Sequence, residues 1–138
     1  MKFSRRLLPV LLVITALVTV AYWLNYFSGG DVRVVDERWY TAFESSFPVA
    51  DAWLAVTAFL AGIGLWRGAA WGAKMGLLAG SALLYLAAMD ITFDIENGLY
   101  ALVPTSQPMQ FELLINVWSV ALGIWTIVAS WKAKPRRA

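Results

Sequence analysis

Four long apolar runs, separated by short polar segments, dominate the chain. They extend over about residues 7–27, 47–66, 71–93 and 111–131. About 20 apolar residues in an α-helix cross the ~30 Å hydrocarbon core of a bilayer. The pattern therefore predicts an all-α fold, an integral membrane four-helix bundle, formed as a single domain by residues 1–138.

The positions of the basic residues predict how the bundle is oriented. Nine of the eleven Lys and Arg residues lie before the first run, between the second run and the first turn of the third, or after the fourth, and these segments contain no acid. Cytoplasmic segments of membrane proteins carry such an excess of Lys and Arg. Both termini are therefore predicted to be cytoplasmic, in a multi-pass protein of the cell (plasma or inner) membrane. A cleaved signal peptide is the alternative for the first run, but no A-x-A site follows it.

Two polar segments are then predicted to lie on the outer side. Residues 28–46 join the first two helices, and within them residues 34–43 could form a short helix at the membrane interface, with Trp39, Tyr40 and Phe43 on its apolar side. Residues 94–109 join the last two helices and contain the turn signal Asn97-Gly98.

The composition excludes several kinds of chemistry. The chain is 60% hydrophobic and only 14% charged, whereas a soluble domain carries about 25% charged residues. It contains neither Cys nor His, which rules out disulfides, zinc or haem ligation, thiol chemistry and Ser-His-Asp catalysis. The net charge of +2 is explained by membrane topology and contact with anionic lipid, and nucleic acid is not an expected partner.

Two acids are predicted to lie inside the membrane, because the uncharged stretches beside them are short. Residues 52–66 and 75–89 lack charge, and each stretch spans only about 22 Å as a helix. Asp51 and Asp90 should therefore lie below the outer surface of the bilayer. Acids are expensive there and mark candidate functional sites. Asp51 can equally be a first-turn acid favoured by the helix dipole, as can Glu112, and Asp94 can be a solvated acid where its helix ends.

Small and polar residues mark one face of each predicted helix. In lipid, such faces are where helices pack together, so the acids that share them are expected to converge. The fourth helix shows this most clearly, since its polar and small residues follow a 4-3-4-3-4 spacing: Glu112, Asn116, Ser119, Gly123, Thr126 and Ser130. The predicted ligand-binding residues are Asp51, Asp90, Asp94, Glu112, Asn116, Tyr22 and Thr19. The predicted metal ligands among them are Asp90, Asp94 and Glu112.

This set of oxygen ligands predicts the binding of a cation. The cation is either a hard divalent metal, Ca²⁺ or Mg²⁺, or an organic ammonium held by carboxylates and aromatic rings. The negative charge of the acids could instead be neutralised by protonation, or by Arg33 or Arg38 of the outer segment. The predicted function is a small polytopic membrane protein with an outward-facing acidic pocket, which binds such a cation or acts in proton-linked transport.

Two other functions stay open. The Gly and Ala faces also suit a structural or accessory subunit of a larger membrane complex, or a homo-oligomer. A carboxylic acid with a raised pKa beside an ionised carboxylate could instead act as the acid/base pair of a membrane-embedded lipid isomerase. In that respect the architecture resembles the emopamil-binding and sterol-isomerase group, four-helix membrane proteins with buried acids. The motifs of that group and the His of its isomerases are missing here, so the resemblance assigns no residue a role.

Overall fold

The described part of the backbone, residues 2–30 and 32–133 of a computed structural model, is mainly helical and contains no strand. Five α-helices and one 3₁₀ turn follow one another along these residues, which confirms the all-α prediction. They are α1 (Lys2–Phe27), α2 (Arg38–Glu44), α3 (Pro48–Arg67), α4 (Ala70–Glu96), the 3₁₀ turn (Leu99–Leu102) and α5 (Gln107–Trp131).

Four helical segments are long and apolar enough to cross a membrane. They are Arg6–Phe27, Arg38–Arg67, Ala70–Glu96 and Gln107–Trp131. The number agrees with the four apolar runs, but α4 and α5 are longer than those runs. The polar residues beside an apolar run can still be helical, so hydropathy alone makes these helices too short.

Local signals explain where the helices begin and end. A proline stands at the start of α3 and another at the start of α5, where its missing N–H costs no hydrogen bond. The Ser106 hydroxyl accepts a hydrogen bond from the Met109 N–H at 3.3 Å, which caps α5. Gly68 ends α3 with a left-handed φ of 69°, a conformation that glycine adopts without strain. This allows a tight turn into α4.

The long helices pack in a row that follows the chain. α3 packs against α1 and α4, and α4 packs against α3 and α5. Small side chains occupy much of the core, so the helix backbones approach closely. The buried apolar cluster comprises Leu8, Leu12, Ala16, Leu54, Ala55, Ala58, Ala61, Ala79, Leu83 and Leu122.

Glycines on α4 allow close contacts with both neighbouring helices. Gly72 lies against Gly64 of α3, and Gly80 lies against the Gly123 backbone of α5. The predicted polar face of α5 is also directed inward, because Asn116, Thr126 and Ser130 are buried as predicted. The pattern of small and polar residues thus identified the packing faces correctly.

The two ends of the bundle differ in charge. One end, called the basic end here, carries four exposed basic residues: Arg6, Arg67, Lys74 and Lys132. There the Arg6 guanidinium lies 5.4 Å from the centre of the Trp66 ring. The other end, called the acidic end, carries the acids at the end of α2, the start of α3, the end of α4 and the start of α5: Glu44, Asp51, Asp90, Asp94 and Glu112.

The short helix α2 starts later and packs more deeply than predicted. It covers Arg38–Glu44 instead of residues 34–43, because the β-branched pair Val34 and Val35 contributes to an apolar cluster ahead of the helix. Tyr40 is buried. Phe43 stacks on Phe93 of α4 with ring centres 3.6 Å apart. This stacking attaches α2 to the acidic end of the bundle.

Candidate functional site

A cavity of about 420 Å³ lies between the long helices at the acidic end. Its walls are mainly aliphatic and aromatic side chains, among them Leu54, Leu83 and Ile115. Six of the seven predicted ligand-binding residues line it: Thr19, Tyr22, Asp51, Asp90, Glu112 and Asn116. Asp94 is not part of the lining.

Three acids meet at this cavity and are called the acidic triad here. Glu44, Asp90 and Glu112 each place a carboxylate oxygen within 4.8 Å of those of the other two. Glu44 is the last residue of α2, and Asp90 lies two turns before the end of α4. The helix dipole disfavours an anion in the last turn of a helix, so it does not stabilise Glu44, and Asp90 lies too far from either end of α4 to be stabilised by it.

Tyrosine hydroxyl groups bind two members of the acidic triad. The Tyr22 hydroxyl donates to Glu44 Oε2 at 3.1 Å, and the Tyr40 hydroxyl donates to Glu112 Oε2 at 3.1 Å. The other oxygen of Glu112, Oε1, is buried and has no partner among the described residues. Glu112 is only 9% exposed and lines the cavity. The site therefore holds a buried acceptor whose hydrogen-bonding capacity is unused.

Asp51 lines the same cavity but lies outside the acidic triad. Its Oδ2 accepts a hydrogen bond of 2.7 Å from the Trp23 indole N–H. It also lies in the first turn of α3, where the helix dipole favours an anion. Both interpretations of Asp51 are therefore compatible with its position.

Asp94 belongs to a second polar network behind the cavity. The Asn116 amide donates to Asp94 Oδ2 and to the Tyr100 hydroxyl, each at 3.2 Å. Burial and the neighbouring Asp94 raise the pKa of Tyr100 to about 12, so its phenol keeps its proton at neutral pH. Asn116 lines the cavity, so this network reaches the cavity through the Asn116 side chain.

The predicted metal set differs from the acidic triad by one residue. The sequence suggested Asp90, Asp94 and Glu112, whereas the structure brings Glu44 to Asp90 and Glu112. Asp94 lies one turn beyond Asp90 on the same helix, and there it packs against Asn116. The stacking of α2 on α4 brings Glu44 into the position that Asp94 was expected to occupy.

Basic side chains do not compensate the acidic triad within the described residues. The ion pair found there joins Arg33 and Asp36 at 3.5 Å, on the surface. The Arg33 guanidinium also lies 5.1 Å from the centre of the Tyr26 ring. Arg38 forms no ion pair among the described residues. Neither arginine therefore neutralises the charge of the acidic triad, in contrast to the alternative considered from the sequence.

Sequence reasoning missed Glu44, Tyr40 and Tyr100 as site residues. A weak signal existed for two of them, because Tyr40 and Glu44 are four residues apart and share one face of a helix. That signal required the predicted helix 34–43 to continue by one residue. Tyr100 had no comparable signal, since a 3₁₀ turn brings it to the site.

Comparisons of the chain with family models, with curated proteins and with solved structures found no match. The fold and the site alone therefore describe this protein: an all-helical chain with four segments of membrane-spanning length and an acidic cavity at one end.

Proposed function

We propose that the chain is a multi-pass membrane protein that binds an organic cation in the cavity at its acidic end. The observation that carries this proposal is the acidic triad in an apolar cavity, with the unpartnered Oε1 of Glu112 among its acceptors. The acidic end faces outward and both termini are cytoplasmic. This orientation is supported by the basic residues at the opposite end of the bundle.

The size and chemistry of the cavity favour an organic cation over a bare metal ion. A volume of about 420 Å³ lies in the range of about 300–1,000 Å³ that is usual for small-molecule sites. Tyr22 and Trp23 line it, and aromatic faces attract organic cations. Its aliphatic walls would solvate the apolar part of such a ligand, whereas they offer nothing to a hydrated metal.

Charge balance supports the same conclusion. Carboxylates that cluster in a partly dry site repel one another, and within the described residues only neutral donors contact this triad. A bound organic cation would supply the positive charge that these neutral donors do not provide.

A divalent metal is the second candidate ligand. The triad oxygens lie within 4.8 Å of one another, and Ca²⁺ binds oxygen at about 2.3–2.6 Å, so one ion could contact all three. Ca²⁺ requires six to eight oxygen ligands. Most of them would have to be water in this mainly apolar cavity, which is why Ca²⁺ and Mg²⁺ rank second.

A matched pair of compounds tests the proposal. Benzyltrimethylammonium should raise the thermal stability of the purified protein in detergent, whereas neopentylbenzene, its neutral carbon isostere, should not. Saturation at 100 times the Kd corresponds to about 2.7 kcal/mol of stabilisation. Asp90→Asn should abolish the effect, because it removes one charge of the triad. Asp36→Asn, the same change at an exposed position, should retain it.

The remaining outcomes separate the alternatives. Stabilisation by Ca²⁺ or Mg²⁺ without any response to benzyltrimethylammonium would favour the metal candidate. Indifference to all of these cations would overturn the binding proposal in favour of a structural or accessory subunit.

A further inference from the structure

The bundle has one open side, between its first and last helices. α1–α3, α3–α4 and α4–α5 are closely packed pairs, and α1 and α5 make no comparable packing contact in the described residues. One hydrogen bond crosses this gap, from the Trp118 indole N–H to Thr15 Oγ1 at 3.0 Å. The row of helices therefore leaves an opening called the α1–α5 gap here.

The cavity reaches the surface through this gap. Five of its apolar lining residues are also exposed: Ile14 and Val18 on α1, and Phe111, Leu114 and Trp118 on α5. A side chain that is both cavity wall and exposed surface marks an entrance. All five are aliphatic or aromatic, so the entrance is suited to hydrocarbon.

The depth of the gap in the membrane determines whether a ligand enters it from water or from lipid. Ile14 and Val18 lie near the middle of the Arg6–Phe27 segment, far from both of its ends. In a membrane-spanning bundle, hydrocarbon surrounds that level. A ligand that passes the α1–α5 gap must therefore come from the bilayer.

We propose that the ligand is a single-chain cationic amphiphile, which enters from the bilayer through the α1–α5 gap and places its ammonium group at the acidic triad. This inference rests on the proposed function and specifies its ligand class. The charge of the head group complements Glu44, Asp90 and Glu112, and its chain leaves through the apolar gap. Compact ammonium ions bind at the same site but leave the gap empty.

The test compares two ligands in protein reconstituted into nanodiscs. Decyltrimethylammonium carries the chain, and benzyltrimethylammonium lacks it. Val18→Trp should fill the gap and weaken binding of the decyl compound by about tenfold, a typical effect of overpacking. Binding of the benzyl compound should weaken clearly less than binding of the decyl compound, because the benzyl compound leaves the gap empty. Val20→Trp is the matched control, since Val20 is 48% exposed against 49% for Val18 but does not line the cavity.

A second pair on α5 keeps the test valid should the first variant misfold. Leu114→Trp should reproduce the selective loss, and Val117→Trp should not, although the two positions are 60% and 59% exposed. Equal effects of gap and control substitutions, or unchanged decyl binding, would overturn the route through the gap while the proposed function stands. Binding of neither compound to the unmodified protein would overturn both.

Discussion

At the scale of single residues, the site is defined by neutral donors that contact acids. Tyr22, Tyr40 and Trp23 each donate one hydrogen bond to a carboxylate at the cavity. Hydrogen bonds to a charged group contribute about 1.5–3 kcal/mol, roughly twice the usual amount. These contacts hold the acids in place without adding positive charge, so the compensation of the acids is left to the cation that we propose.

The shortest of these contacts gives a prediction about stability. Trp23→Phe should lower the free energy of unfolding by about 1–3 kcal/mol, because it leaves Asp51 without its indole donor. Thermal unfolding in detergent measures this loss. Trp53→Phe is the control, since Trp53 is exposed on the same helix as Asp51.

A double-mutant comparison separates the hydrogen bond from the lost ring volume. In an Asp51→Ala background, Trp23→Phe should cost clearly less than in the original chain, because only packing remains to be lost. An undiminished cost there would show that the Trp23–Asp51 bond contributes nothing to stability.

At the scale of helices, close backbone approach decides which faces meet. A Cβ at position 80 would lie 2.9 Å from the Gly123 carbonyl oxygen and 2.8 Å from Ile127 Cγ1. Backbone atoms of a packed helix cannot move aside as the end of a flexible side chain can. The α4–α5 contact therefore depends on glycine at this position.

This contact gives a second prediction. Gly80→Leu should destabilise the protein by about 1–3 kcal/mol through overpacking, measured as a drop in melting temperature. Ser81→Leu introduces the same side chain one residue later, at an exposed position on the same helix, and should be tolerated. Similar melting temperatures for the two variants would show that α4 and α5 can move apart at this contact with little loss of stability.

The helix scale also shows how far the sequence could predict the structure. Periodic small and polar residues predicted the inward faces of the long helices, because 3.6-residue periodicity maps directly onto one side of a helix. The same reasoning brought Asp90, Glu112 and Asn116 to one cavity. Periodicity did not predict Glu44 as a site residue, because its position depends on the stacking of Phe43 on Phe93. Contacts of that kind join distant parts of the chain and leave no local periodicity.

At the scale of the whole molecule, charge separates the two ends of the bundle. The basic end carries Arg6, Arg67, Lys74 and Lys132, and the acidic end carries the cavity. In a membrane such an arrangement favours one orientation, because Lys and Arg are retained on the cytoplasmic side.

Single cysteines test this orientation, and the chain contains no native thiol. Asp36→Cys and Glu96→Cys should react with a membrane-impermeant maleimide in intact cells, since both positions are exposed near the acidic end. Arg67→Cys should react only after the membrane is permeabilised. Labelling of Arg67→Cys alone in intact cells would reverse the orientation.

The neutral donors around the acidic triad also have an electrical consequence. A cation that binds carboxylates without a basic partner brings its full charge into the membrane, so the transmembrane potential acts on the binding step. One charge that crosses the whole field gains about 2.3 kcal/mol per 100 mV. For a site about one helical turn, roughly 5 Å, below the surface of a ~30 Å hydrocarbon core, the gain is about 0.4 kcal/mol, or roughly a twofold change in affinity. A negative interior would then raise the affinity for the cation, and depolarisation would lower it by the same factor.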